Sequence, residues 1–67
     1  MINFDKLWIK LKECNISQYK LINTYSISPS TLTRLKRNES VSTNTIDLLC
    51  DILDCPVEDI MEHKKKP

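Results

Sequence analysis

The segment SQYKLINTYSISPSTLTRLKRN, residues 17–38, carries the start and stop signals of two consecutive short helices. Ser17 can cap a helix over residues 18–25, because its hydroxyl can accept a hydrogen bond from the first turn. Ser28 stands before a proline, which suits the first helical position, and this pair predicts another helix over residues 29–37. The segment therefore predicts two helices joined by a very short turn.

A helix is predicted on each side of this segment from the spacing of apolar residues. Before the segment, the positions i, i+3, i+4 and i+7 of one helical stripe are apolar: Phe4, Leu7, Trp8 and Leu11. After the segment, the same spacing recurs in Ile46, Leu49, Cys50 and Leu53. We expect Asn3 to cap the first of these two helices and Thr43 to cap the other.

The remaining helix ends complete an all-α architecture. Asn38 is predicted to end the third helix, because asparagine tolerates the left-handed conformation and the chain contains no glycine. The proline at position 56 ends the fourth helix, and a fifth short helix is expected over residues 56–62. Since the sequence has no alternating strand pattern, we predict five short helices around one core.

Length and composition restrict the class of protein. A chain of 67 residues has room for one small domain, and 40% hydrophobic with 28% charged residues is ordinary for a folded one. We assign residues 1–62 to this domain and residues 63–67 to a basic disordered tail. No stretch approaches the roughly 20 apolar residues of a membrane span, so we expect a cytoplasmic protein without a membrane partner.

The charges are distributed unevenly along the chain. Residues 1–38 hold seven lysines and arginines against two acids, whereas residues 39–62 hold seven acids and no lysine or arginine. The formal net charge of +1 conceals this division. Because a basic face attracts phosphate whatever the overall charge, the basic part of the chain indicates a polyanionic partner.

Residue types that carry catalysis or bind metals are sparse. Cys14, Cys50 and Cys55 are an odd number without a CxxC pair, which predicts reduced thiols rather than a disulfide framework. The single histidine, His63, does not complete a usual zinc spacing with them. The sequence also lacks a glycine-rich phosphate loop. We therefore expect no metal, no cofactor, no small-molecule ligand and no enzymatic activity.

Helical geometry separates the polar and apolar residues of the third helix. At about 100° per residue, Arg34 and Arg37 fall within roughly 40° of Ser30, while Leu32 and Leu35 lie on the opposite face. The polar face contains no acid. Two short helices of which the second is outwardly polar and basic are typical of the helix-turn-helix that enters the DNA major groove.

The sequence resembles the Cro/phage-repressor, or XRE-type, helix-turn-helix family. The resemblance rests on four runs within residues 4–61, namely 17–22, 27–35, 45–53 and 57–60. It implies a lambda-repressor-like fold of five helices, in which helices 2 and 3 form the helix-turn-helix. It also implies sequence-specific binding of double-stranded DNA by a small transcriptional regulator, a repressor that binds its operator as a homodimer with residues 29–37 in the major groove.

The resemblance also implies roles for individual side chains. The positions that reach base edges in the family are occupied here by Pro29, Ser30, Thr31 and Arg34. The positions that meet backbone phosphates are occupied by Gln18, Thr33, Lys36, Arg37 and Asn38. Arg34 is the strongest candidate for direct readout, because its guanidinium can bind O6 and N7 of guanine together; a phosphate contact is the alternative.

This chain departs from the family pattern at three places. Ser26 and Asn38 stand where the family often has glycine, which predicts either strain in the turn or a shift of its geometry by one residue. Pro29 stands where a base-reading glutamine is common and offers apolar contact alone, so DNA shape gains weight in specificity. The fourth helix is apolar nearly all round, because Leu48 and Ile52 lie off its core stripe.

The apolar fourth helix leaves two interpretations open. Either neighbouring helices enclose it, or Leu48, Ile52 and Met61 form a dimer patch that Ile9 could join. A second class of function also stays open, a protein-interaction module such as an antitoxin or a co-regulator of another repressor. Binding to random duplex DNA would distinguish the regulator from that module, because the module would show none.

Overall fold

The computed structural model describes residues 1–65, and within them the chain forms four α-helices, one 3₁₀ turn and two short strands. The elements follow the order β1 (Ile2–Asn3), α1 (Asp5–Glu13), α2 (Gln18–Asn23), α3 (Pro29–Lys36), α4 (Thr43–Leu53), a 3₁₀ turn (Val57–Asp59) and β2 (Glu62–His63). The two strands pair antiparallel, with Ile2 opposite His63 and Asn3 opposite Glu62.

Serine hydroxyls cap three of the helices. Ser17 accepts a hydrogen bond from the backbone N–H of Lys20, which confirms the predicted start of α2. Ser28 accepts one from the N–H of Thr31, with proline at the next position, as predicted for α3. The cap of α4 is Ser42 rather than the predicted Thr43, because Thr43 already has helical backbone. Each cap satisfies an N–H that has no partner within its own helix.

Two asparagines serve the start of α1, and one of them comes from a distant part of the chain. Phe4, not the predicted Asn3, occupies the cap position, and its own side chain makes no capping bond. Asn3 lies one residue earlier and accepts from the N–H of Asp5 at 3.3 Å. The Oδ1 of Asn38 accepts from the N–H of Phe4 at 2.9 Å, and so ties the end of α3 to the start of α1.

Left-handed residues reverse the chain at the helix ends. Asn38 has φ 57° just beyond Arg37, the C-cap of α3, and is left-handed as predicted; Ser26 has φ 58° in the turn between α2 and α3. Asn15 and Asp54 adopt the same conformation after α1 and α4. Asparagine and aspartate visit this region more readily than other residues with a Cβ, whereas serine there is strained.

Asn38 is expected to contribute to stability through both its backbone and its amide. Replacing it with alanine places a Cβ in the left-handed region and removes the acceptor for Phe4, so the free energy of unfolding should fall by about 1–3 kcal/mol. Asn38→Gly adopts the left-handed backbone without strain but still lacks the side-chain acceptor for the Phe4 N–H. Its free energy of unfolding should therefore lie between those of the parent and Asn38→Ala. Urea unfolding of the three proteins tests this order; equal stability of Asn38→Ala and the parent would contradict it.

The core is one cluster to which every α-helix contributes. Its buried side chains, each at most 5% exposed, are Phe4, Leu7, Leu11, Leu21, Ile27, Leu32, Leu35, Leu49, Leu53 and Ile60. Trp8 and Tyr25 are half-buried against this cluster. The predicted apolar stripes of α1, α3 and α4 therefore face inward.

The predicted fifth helix is wrong. Residues 57–59 form a single 3₁₀ turn, and the backbone leaves helical geometry at Ile60, which is fully buried. The chain then extends as β2 to pair with β1, so the mostly helical architecture within residues 1–65 has four α-helices and a small sheet rather than five helices. A two-residue strand is too short to produce an alternating pattern, which is why the sequence did not indicate it.

The expected boundary between domain and tail falls inside β2. His63 belongs to that strand, and the backbone N–H of Lys64 donates to Met1 at 2.8 Å. The last two residues of the expected tail, 66 and 67, lie outside the described residues. None of the helices within residues 1–65 is long and apolar enough to cross a membrane.

Candidate nucleic-acid interface

The turn between α2 and α3 holds the two helices in a fixed relation. Ile27 is buried, and its N–H donates to the carbonyl of Leu21 in α2 at 3.1 Å. Leu32 and Leu35 of α3 are buried in the core. Because both leucines point inward, the opposite face of α3 is directed to solvent.

That outer face carries the side chains predicted to meet DNA. Those that are exposed are Pro29, Ser30, Thr33, Arg34, Lys36 and Arg37. Thr31 is half-buried. The helix contains two basic residues and no acid. A basic, acid-free face is what a helix lying next to phosphates requires.

Hydroxyl groups at the start of α3 are engaged with one another. The Ser28 hydroxyl lies 3.1 Å from that of Ser30 and 2.8 Å from that of Thr31. The Thr33 hydroxyl donates to the carbonyl of Pro29 at 3.1 Å. These bonds orient the hydroxyls, so Arg34 offers the largest set of uncommitted donors among the predicted base-reading residues.

The basic side chains at the end of α3 are held loosely. Arg37 lies 4.0 Å from Glu39, and both side chains are more than half exposed, so this ion pair is weak and phosphate can replace it. Neither Arg34 nor Lys36 pairs with a carboxylate in the described part of the chain, 1–65. The positive charge of α3 is therefore available to a partner.

The two remaining predicted phosphate contacts differ in their freedom. Gln18 is exposed at the first position of α2. Asn38 is half-buried and its Oδ1 is engaged with Phe4, which leaves its Nδ2 to reach a phosphate. Tyr19 and Lys20 were not among the predicted DNA contacts, yet they are exposed in the first turn of α2 beside Gln18. Their position off the apolar stripe of α2 was a usable signal.

Of the three free thiols, Cys50 and Cys55 are half-buried and Cys14 is exposed. Burial raises the pKa of Cys50, and the carboxylates of Asp47, Asp51 and Glu58 raise it further. Burial also raises the pKa of the Cys55 thiol. The backbone N–H of Cys55 donates to the carbonyl of Cys50 at 3.1 Å, which holds the chain close to the end of α4. Residues 1–65 contain no group of three or more histidine, cysteine or acidic side chains that could hold a metal ion.

The three residues of the predicted dimer patch differ in exposure and in whether they line a groove. Leu48 is 37% exposed on α4 and Ile52 is half-buried. Met61 lines a groove between β1 and the loop after α3, and Leu48 and Ile52 are not among the residues that line it. Ile9, the suggested addition, is 60% exposed on α1.

A short turn anchored by buried Ile27, an exposed basic helix and a second helix packed behind it define a helix-turn-helix DNA-binding domain. The sequence matches the model of the Cro/C1-type helix-turn-helix DNA-binding domain over residues 6–66. The chain belongs to this family.

A solved structure agrees with that assignment. The crystal structure of the transcriptional regulator VanUg has a TM-score of 0.86 and 29% sequence identity, with alignment over 97% of this chain and 87% of that one. No curated protein matches the sequence.

Proposed function

We propose that this protein is a transcriptional regulator that binds a specific double-stranded DNA operator with α3 in the major groove. The observation that carries the proposal is the face of α3, which is exposed, basic and free of acids. The leucines behind it hold the helix rigidly on the core, so its side chains are positioned before DNA arrives.

Sequence readout and phosphate binding are assigned to different residues. In this proposal Arg34 binds a guanine, and Pro29, Ser30 and Thr31 contribute contacts at the start of the helix. The phosphate contacts come from Gln18, Thr33, Lys36, Arg37 and Asn38. Because proline and internally bonded hydroxyls read few base edges, the deformability of the operator supplies part of the specificity.

The proposed active form is a homodimer that represses. One α3 with a single long basic reader offers few base contacts, so useful specificity needs two copies on half-sites roughly 34 Å apart. A regulator bound at a promoter excludes other proteins from the same groove, which favours repression. A reporter placed behind the selected operator should lose expression when the protein is present.

The salt dependence of binding to random duplex DNA tests the central claim. Affinity should fall steeply as salt rises, because phosphate neutralisation releases counterions. Lys36→Ala and Arg37→Ala should each weaken all sequences alike and flatten the slope of log affinity against log salt by about one unit. Lys10→Ala is the matched control, because Lys10 lies on α1, outside the helix-turn-helix, and pairs with Asp59 of the 3₁₀ turn at 4.0 Å.

The result that contradicts this proposal is also simple. A protein that is folded by circular dichroism and shows no affinity for duplex DNA at low salt is not a DNA-binding regulator. That outcome would favour the protein-interaction module instead.

A further inference from the structure

A groove lies between β1 and the loop that follows α3. Its volume is about 330 Å³, and its apolar walls are Ile2, Phe4, Val41, Ile46, Val57 and Met61. Residues 38–41 of the loop line its other side. Ile2 and Val57 are 37% and 44% exposed, and Met1 beside them is 65% exposed. An apolar groove next to exposed apolar side chains is typical of an interaction surface.

The outer edge of β1 has a free pair of backbone groups beside this groove. Met1 and Lys64 exchange hydrogen bonds of 2.6 and 2.8 Å, so the next pair, Ile2 and His63, is not hydrogen-bonded to each other. The N–H and C=O of Ile2 therefore point away from β2, and neither has a backbone partner within residues 1–65. Phe4, further along the same edge, is already bonded to Asn38.

The two edges of the sheet differ in protection. The outer edge of β2 belongs to a charged segment, Glu62-His63-Lys64-Lys65, and lysines on an edge discourage pairing with another chain. The side chains of residues 1–3 carry no charge. An added strand would therefore pair with β1 rather than with β2.

We propose that a second copy of this chain docks here by adding its own β1 antiparallel to β1, with the two-fold axis at Ile2. This inference rests on the proposed function, since it names the surface through which the regulator dimerises. Across the axis, each Ile2 N–H donates to the Ile2 carbonyl of the other copy. Directly opposite side chains lie on the same face of a sheet, so each Ile2 packs at the groove of its partner.

The symmetry of a two-fold contact fits this surface. Such a contact uses the same patch on both subunits, so the patch must supply both the inserting group and its receptor. Here the exposed Ile2 and the apolar groove are adjacent on one face. The contact leaves Asn38 in place, because Asn38 bonds to Phe4 and not to Ile2.

Charge argues for this surface over the outer face of α4. Leu48 on α4 is flanked in sequence by Asp47 and lies one turn from Asp51, and both carboxylates are exposed. A two-fold contact there would set like charges against each other, which is costly at an interface. The β1 edge differs in that both signs of charge lie beside it, the Met1 ammonium on the strand and Glu39 at the groove.

The location also suits DNA binding. The loop that lines the groove follows α3 directly, and Asn38 bonds this loop to Phe4, two residues from the axis. Dimerisation at β1 would therefore order the chain next to the end of both α3 helices. A fixed relation between the two α3 helices is what an operator with two half-sites requires.

The test uses substitutions of Ile2 and sedimentation of the full chain. Ile2→Pro removes the outward N–H without breaking a bond of the monomer, and Ile2→Val keeps both the N–H and the apolar contact. The parent and Ile2→Val should sediment at twice the monomer mass of 7.8 kDa. Ile2→Pro should raise the dimer dissociation constant about tenfold or more, because two hydrogen bonds are lost.

Two further variants complete the experiment. Ile2→Lys places two like charges against each other at the two-fold axis, so it should also give a monomer. It is the deciding variant for the interface if circular dichroism shows that Ile2→Pro is unfolded. Leu48→Lys should remain dimeric. A monomeric parent, or dissociation by Leu48→Lys but not by the Ile2 variants, would overturn the proposal.

Binding to random duplex DNA in the same samples separates this inference from the proposed function. A folded, monomeric Ile2→Pro that still binds with the salt slope of the phosphate contacts supports both. A parent that binds DNA but sediments as a monomer overturns the interface and leaves DNA binding intact. A dimer that dissociates as described but binds no DNA supports the interface and contradicts the proposed function.

Discussion

Replacing Leu49 or Leu32 with alanine is expected to lower the free energy of unfolding by about 2–5 kcal/mol. Leu49 is fully buried on α4, and Leu32 is 3% exposed on α3. Each change removes apolar contact and leaves a cavity that the surrounding helices fill only in part. A domain of this size has little stability to lose, so both variants should be substantially unfolded at 37 °C.

Leu48→Ala is the matched control for this prediction. It makes the same chemical change one position away, where the side chain is 37% exposed, and should cost much less. Thermal and urea unfolding followed by circular dichroism measure all three variants. If Leu49→Ala melted at the same temperature as Leu48→Ala, the assignment of the inward face of α4 would be wrong.

The second large effect is expected from Arg34→Ala, which should weaken binding to the specific operator by about 1–3 kcal/mol and relax the preference at one base pair. The guanidinium is exposed on α3 and pairs with no carboxylate in the described residues, so it is free to bind two acceptors of a guanine. Selection of bound sequences from random DNA, repeated with the variant, identifies the base pair concerned.

Two comparisons show whether Arg34 reads a base. Arg34→Lys keeps the charge but loses the planar pair of donors, so it should retain random-duplex affinity and still lose the base preference. Lys36→Ala should reduce specific and random affinity alike. Equal losses on specific and random DNA for Arg34→Ala would assign Arg34 to a phosphate instead.

Local signals predicted the helix-turn-helix correctly because its geometry depends on neighbouring residues. Ser17 and Ser28 cap helices through bonds to N–H groups three residues away, and these short-range bonds are visible in the sequence. The spacing of Leu32 and Leu35 placed the polar face of α3 outward. Asn38 was identified as left-handed because few residues other than glycine adopt that conformation.

Tertiary contacts decided the parts that connect distant residues. The strand pairing of Ile2 with His63 joins the two ends of the described chain, and strands of two residues leave no periodic pattern. The sequence predicted a helix over residues 56–62. In the fold, Ile60 is buried and Glu62 pairs with Asn3, so the end of this segment is an extended strand.

The start of α1 shows, at a single hydrogen bond, the difference between what local sequence predicts and what the tertiary structure decides. The sequence supplied Asn3 as the local cap, but Phe4 takes that position and Asn38, 34 residues later, accepts its N–H. The capping residues and the apolar spacing of helices 2 and 3 were therefore sufficient to predict the helix-turn-helix and the residues on its outer face. The open edge of β1, its apolar groove and the bond from Asn38 depend on residues brought together only by folding, because no short-range pattern encodes a contact between distant parts of a chain.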